Sequence, residues 1–165
     1  MTDYKTHLNE LRKFYIEATP GQRLHVASER INNSGHGRNL LIAYVSSLEG
    51  FARCVVMHQK AHSKTYLSTI YPIYKWSDAK SLVEEYLLTK VQKDALSYFG
   101  QDIWEKIGFA VEYRNLLAHE CTYLDQDIFV DLIHACDHVL RKLAKLEGLD
   151  FTLPYGDKPQ APSRA

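Results

Sequence analysis

Cysteine is scarce in this 165-residue chain, and its three copies, Cys54, Cys121 and Cys136, stand too far apart to form a Cys-x-x-Cys pair. That removes the usual thiolate zinc and dithiol redox motifs, and an odd number fits reduced thiols. Net charge is lacking as well, because twenty basic and twenty acidic side chains cancel. Any binding to nucleic acid must therefore come from local patches rather than from the field of the whole molecule. No apolar run reaches the length of a bilayer span, since Lys, Arg, Glu, His or Gln interrupts each one. The chain opens Met1-Thr2-Asp3-Tyr4, without the basic and then apolar order of a secretory leader. These absences point to the cytoplasm and away from a membrane. Alternating strand patterns, internal repeats and low-complexity tracts are missing too.

What is present is helical periodicity. Tyr4, Leu8, Leu11, Tyr15 and Ala18 form one apolar stripe, which Pro20-Gly21 ends. From Pro20 to Arg38 the sequence predicts a connecting region, with room for a short helix around Leu24, Val26 and Ile31. Residues 39–62 carry Leu40, Leu41, Tyr44, Val45, Leu48, Phe51, Val55 and Val56, a face wide enough for a central helix. Pro72 argues against a long helix between Ser63 and Ser77. Ser77 is then placed to cap a helix through Leu82, Val83, Tyr86 and Leu87 that Gly100 closes. Asp102 and Glu105 have the spacing of a capping box for a helix running to about Leu117, and Asp125 is placed to cap the last one. That last stripe, from Ile128 to Leu143, stops at Gly148.

The expected fold is all-α: an up-and-down helical bundle of four long helices plus one or two short ones. Residues 1–150 form a single domain in this reading, and residues 151–165, with three prolines from Pro154 onward, form a flexible tail.

One segment carries candidate chemistry: Glu112-Tyr113-Arg114-Asn115-Leu116-Leu117-Ala118-His119-Glu120. Asn115 and His119 share a helix face, and at a helix end the imidazole could swing toward the Arg114 guanidinium. Such a trio suits phosphodiester chemistry on RNA. Histidine can take the proton of a ribose 2′-OH near neutral pH, and arginine can hold the phosphoryl oxygens as charge builds on them. Asn115 can donate a further hydrogen bond. An acid for the leaving 5′-oxygen is missing, and a second copy of the chain would supply one. By spacing alone, an Arg and a His five apart are also an ordinary surface pair or helix C-cap.

Arg114-Asn115-Leu116-Leu117-Ala118-His119 resembles the Arg-x(4–6)-His motif of the HEPN superfamily of helical-bundle proteins, and Ser47-Leu48-Glu49-Gly50-Phe51 resembles its acidic segment in an earlier core helix. The resemblance implies a homodimer whose composite cleft cuts RNA without metal or cofactor, leaving a 2′,3′-cyclic phosphate and a 5′-OH. Arg114 and His119 would be catalytic, Asn115 supporting, and Glu49 a further support. It also implies a role as a toxin or anti-phage defence effector, with an antitoxin protein as a partner. Many HEPN-like domains are non-catalytic, so the alternative is a binding or assembly module for a protein, nucleotide or RNA. Toxins of this kind that pair with a minimal nucleotidyltransferase usually carry tyrosine two residues after the histidine. Here that residue is Cys121, and the nearest tyrosine is Tyr123.

Between Glu49 and Asp78 the chain has no acidic residue but carries Arg53, Lys60, Lys64 and Lys75, with Tyr66, Tyr71, Tyr74 and Trp76 nearby. Cations interleaved with rings can hold single-stranded RNA, so Arg53, Lys60, Lys64, Tyr66 and Lys75 are RNA-binding candidates. The same residues also fit core or dimer contacts with a solvated edge. His134 and His138 have a metal-pair spacing but no evident third ligand, and packing or solvated histidines are the expectation. Cys54 and Cys136 fall on predicted buried faces, where cysteine acts as a small hydrophobe. A Cys121–His119 nucleophilic pair would lack an orienting acid.

Overall fold

The computed structural model describes residues 3–120 and 129–151. Among them the chain forms eight helices and no strand: α1 (Tyr4–Glu17), α2 (Pro20–Asn32), α3 (Arg38–Lys60), α4 (Lys64–Tyr74), α5 (Ala79–Lys90), α6 (Ala95–Phe99), α7 (Gln101–His119) and α8 (Phe129–Leu146). The all-α expectation holds, with more short helices than the periodicity indicated.

Local chemistry explains the differences. Pro20 does not only end α1; it is the first residue of α2, where its missing N–H costs no helical hydrogen bond. Thr19 completes a capping box with Gln22, its hydroxyl accepting from Gln22 N at 3.2 Å while Gln22 Oε1 accepts from Thr19 N at 2.9 Å. The connecting region expected there is therefore a 13-residue helix. Pro72 is tolerated inside α4. Beyond it, the Arg53 guanidinium donates to the carbonyls of Tyr74 and Ser77, at 3.1 and 3.0 Å, and so holds the end of the helix against α3. The cap of α5 is Asp78 rather than Ser77, with its carboxylate accepting from Ser81 N at 2.8 Å. Asp102 and Glu105 form no capping box: each reaches along the outside of α7, to Lys106 and Gln101. Gly100, at φ 86°, turns the chain there instead, a conformation that favours glycine. The Asp125 cap lies outside the described residues.

α3 is the centre of the molecule and packs on α2, α4, α5, α7 and α8. Tyr44, Phe51, Leu41 and Leu48 are fully buried along it, and Tyr86, Leu140 and Leu143 meet them in one core. Each such side chain contributes about 1.5–3 kcal/mol by leaving water. α3 is also long and apolar enough to cross a bilayer, contrary to the sequence expectation, but 78% of its most apolar window is covered by the rest of the protein. Phe151, assigned to the tail by sequence, is buried in this core, so the packed unit reaches at least that far. The rest of the expected tail lies outside the described residues.

Among the described residues two polar side chains are buried, Ser47 and Asp137, and the second is tied into a network. Asp137 on α8 is buried, accepts from the Tyr44 hydroxyl at 3.0 Å and from Arg141 Nε at 2.8 Å, and Arg141 in turn donates to the Phe151 carbonyl at 2.8 Å. Burial, with Asp137 beside it, pushes the Tyr44 phenol well above its ordinary pKa. Asp137→Ala is expected to cost about 3 kcal/mol, because it strands a buried hydroxyl and separates a charge pair. Chemical denaturation checks this, and a loss below about 1 kcal/mol would mean the network is dispensable.

Candidate functional site

The site is organised by a carboxylate between two guanidiniums. Glu49 faces outward from the α3 core stripe toward α7, where Arg114 Nη2 meets Glu49 Oε2 at 2.5 Å. The other oxygen, Oε1, accepts from Arg53 Nη2 at 3.0 Å, one turn further along α3. All three side chains are mostly buried, at 16–18% exposure. Two fixed cations around one anion leave a net positive charge, held by contacts too sheltered for water to screen fully. The Nε of Arg114 is buried and has no partner among the described residues. This guanidinium is thus oriented by Glu49 without being saturated by it.

His119 lies elsewhere on the same helix. α7 stays helical through His119, and at about 100° per residue the Arg114 and His119 side chains leave it roughly 140° apart. The imidazole is exposed and makes no hydrogen bond or ion pair with a described residue. Asn115 shares its flank and is also exposed, as the four-residue spacing requires. Sequence reasoning allowed the imidazole to swing back to the arginine; the continuing helix keeps them apart. The half-exposed Phe109 and Leu116 lie on the same flank as His119.

The cation-and-ring stretch is dispersed. Arg53 is occupied by Glu49 and two carbonyls. Lys60 pairs with Glu85 at 3.6 Å. Lys64 and Tyr66 are exposed at the start of α4, with Tyr66 edge-on to His62. Lys75 lies over the exposed Trp76 ring, 4.7 Å from its centroid. Tyr74 belongs to the interior side of α4, donating to Glu85 at 2.6 Å, and burial pushes its phenol up to about 12.

Cys54 and Cys136 are buried, and burial pushes both thiols up to about 12, so neither is a nucleophile near neutral pH. His138 packs edge-on to Phe99, and burial and Lys142 hold its pKa below the ordinary histidine value. Cys121 and Tyr123 lie outside the described residues, and with them the Cys121–His119 pairing.

No family model, curated protein or solved structure matches the chain. Its function must be argued from its own residues.

One feature escaped the sequence reading. Arg23 of α2 lies across Gly50, so close that a Cβ there would stand 2.3 Å from Arg23 Nη2. A glycine in the middle of an apolar helix is the signal that could have exposed it.

Proposed function

We propose that the chain is a HEPN-like helical bundle acting as a homodimeric, metal-independent endoribonuclease. The reading is carried by one observation: Glu49 and Arg114, 65 residues apart and drawn from two separate motif-like segments, form an ion pair between α3 and α7. In this mechanism Glu49 aligns Arg114, whose remaining donors bind the non-bridging oxygens of the scissile phosphate. His119 accepts the 2′-OH proton as the 2′-oxygen attacks phosphorus. The P–O5′ bond breaks, and a second imidazole, in its protonated form, donates to the departing 5′-oxygen. Products are a 2′,3′-cyclic phosphate and a 5′-OH, and Asn115 orients the phosphate beside His119.

The 140° separation of Arg114 and His119 supports a second copy of the chain, so that the His119 of one copy works opposite the Arg114 of the other. Phe109 and Leu116 offer apolar surface for that contact beside His119. Lys64, Tyr66 and Lys75 are exposed and available to the rest of an RNA strand. Such an activity suits a toxin or defence effector in the cytoplasm, restrained by an antitoxin protein.

The purified protein is expected to cleave single-stranded RNA in excess EDTA and to leave cyclic phosphate ends. Intact RNA under those conditions, or ends carrying a 5′-phosphate, would overturn the mechanism. A second reading, a non-catalytic HEPN-like binding module, is favoured by the engagement of Arg114 Nη2 with Glu49. It predicts binding without any cleavage.

A further inference from the structure

The cationic groups on the opposite side of α3 from its core stripe have a partner to find. Arg23 and Arg30 are seven apart on α2 and therefore share one face of it. That face borders the buried Leu24, Ala27 and Ile31 stripe of α2, whose main packing partner is α3. Arg23 rests on Gly50, and Arg30 lines an open cavity with Asn39 and Ala43 of α3. Gly50 and Ala43 are also seven apart, so Arg23 and the cavity that Arg30 lines follow the same seam, or furrow, between α2 and α3. Neither makes a hydrogen bond or ion pair with a described residue. The α2 carboxylate nearest them, Glu29, is paired with His25 at 3.3 Å instead.

A mostly covered guanidinium without an acid is unusual, because an unpaired buried charge is costly. Burial is the main cause that holds Arg23 below the ordinary arginine pKa, over an opposing pull from Cys54, with Arg53 adding a smaller push in the same direction as burial. Arginine stays charged regardless, and its planar fork matches phosphate oxygens. The glycine beneath it leaves space that any side chain would take.

We infer that the α2–α3 furrow binds the phosphodiester backbone of single-stranded RNA, with Arg23 and Arg30 each contacting a phosphate group. Arg53 adds positive potential at the Arg23 end, and through Glu49 that end adjoins Arg114. The choice of RNA over another phosphate source rests on the nuclease reading; the phosphate-binding furrow itself does not.

The test uses a short, 5′-labelled oligouridylate whose 2′-hydroxyls are methylated, so that binding is read by anisotropy without cleavage. Arg23→Gln and Arg30→Gln are each expected to weaken binding about tenfold and to reduce the slope of log K against log salt by about 0.7. Arg23→Lys should recover part of the loss. Arg30 is exposed, so its variant keeps the test valid if Arg23→Gln fails to fold. Wild-type affinity and slope in Arg30→Gln and in folded Arg23→Gln would overturn the inference. So would Arg23-dependent binding of uridine monophosphate without binding of the oligomer, which would mark a mononucleotide site. If unmodified RNA stays intact while the arginine effects appear, the furrow stands and the nuclease reading falls. If RNA is cut while the variants bind normally, the reverse holds.

Discussion

His119→Ala is expected to leave the protein as stable as the wild type while lowering its rate of RNA cleavage at least about 100-fold. The two halves of this result have separate causes. His119 is exposed at the last position of α7 and has no partner among the described residues, so its truncation breaks no hydrogen bond or ion pair with them. Surface changes of that kind stay within about 0.5 kcal/mol. A proton acceptor for the 2′-OH, in contrast, contributes about 10²- to 10⁴-fold to the rate. Arg114 is the less clean probe, since its removal also breaks a sheltered ion pair with Glu49. Arg114→Lys preserves the charge but loses the fork that can reach Glu49 and a phosphate together, so it separates the roles better than alanine. Cleavage by folded His119→Ala at more than a tenth of the wild-type rate would remove the imidazole from the mechanism. The assay belongs in EDTA, where contaminating metal-dependent nucleases are silent.

The contrast between Arg114 and His119 shows which parts of the site were legible in the sequence. Residue type and spacing identified both side chains, and Glu49 was found from a second short segment. Nothing local, however, revealed that Glu49 and Arg114 would touch, because that contact depends on how α3 and α7 cross. The helix content was readable from the apolar stripes of α3 and α8, where burial and periodicity agree. It is harder to read at α2 and α4, where proline predicts a stop. Pro20 instead opens α2, and Pro72 is accommodated in α4, whose far end is held by Arg53. Propensity records the cost of a proline, whereas the tertiary contacts that offset it come from distant residues. Arg23 shows the reverse: Gly50 belongs to a motif-like segment, but its role in giving the guanidinium room depends on how α2 lies on α3.

Mixing the two inactive variants should restore activity. If each cleft combines Arg114 from one copy with His119 from the other, a heterodimer of Arg114→Lys and His119→Ala chains contains one cleft with both native residues and one with neither. Two-fold symmetry supplies two equivalent clefts, and the one with both native residues keeps the base but not the second imidazole, so such a heterodimer should cut faster than either parent, each at least about 100-fold impaired, while staying below half of the wild-type rate. Differently tagged chains, co-expressed and purified through both tags, provide the sample. The prediction follows from helix geometry: α7 directs the two side chains about 140° apart, which favours a phosphate held between two copies. Complementation would be hard to explain by folding, because His119 has no partner among the described residues to restore. A doubly tagged dimer as inactive as its parents would mean that each cleft draws both residues from one chain. The absence of any dimer would leave Arg114 as a structural partner of Glu49, and the binding-module reading would then account better for the exposed flank of Phe109, Leu116 and His119.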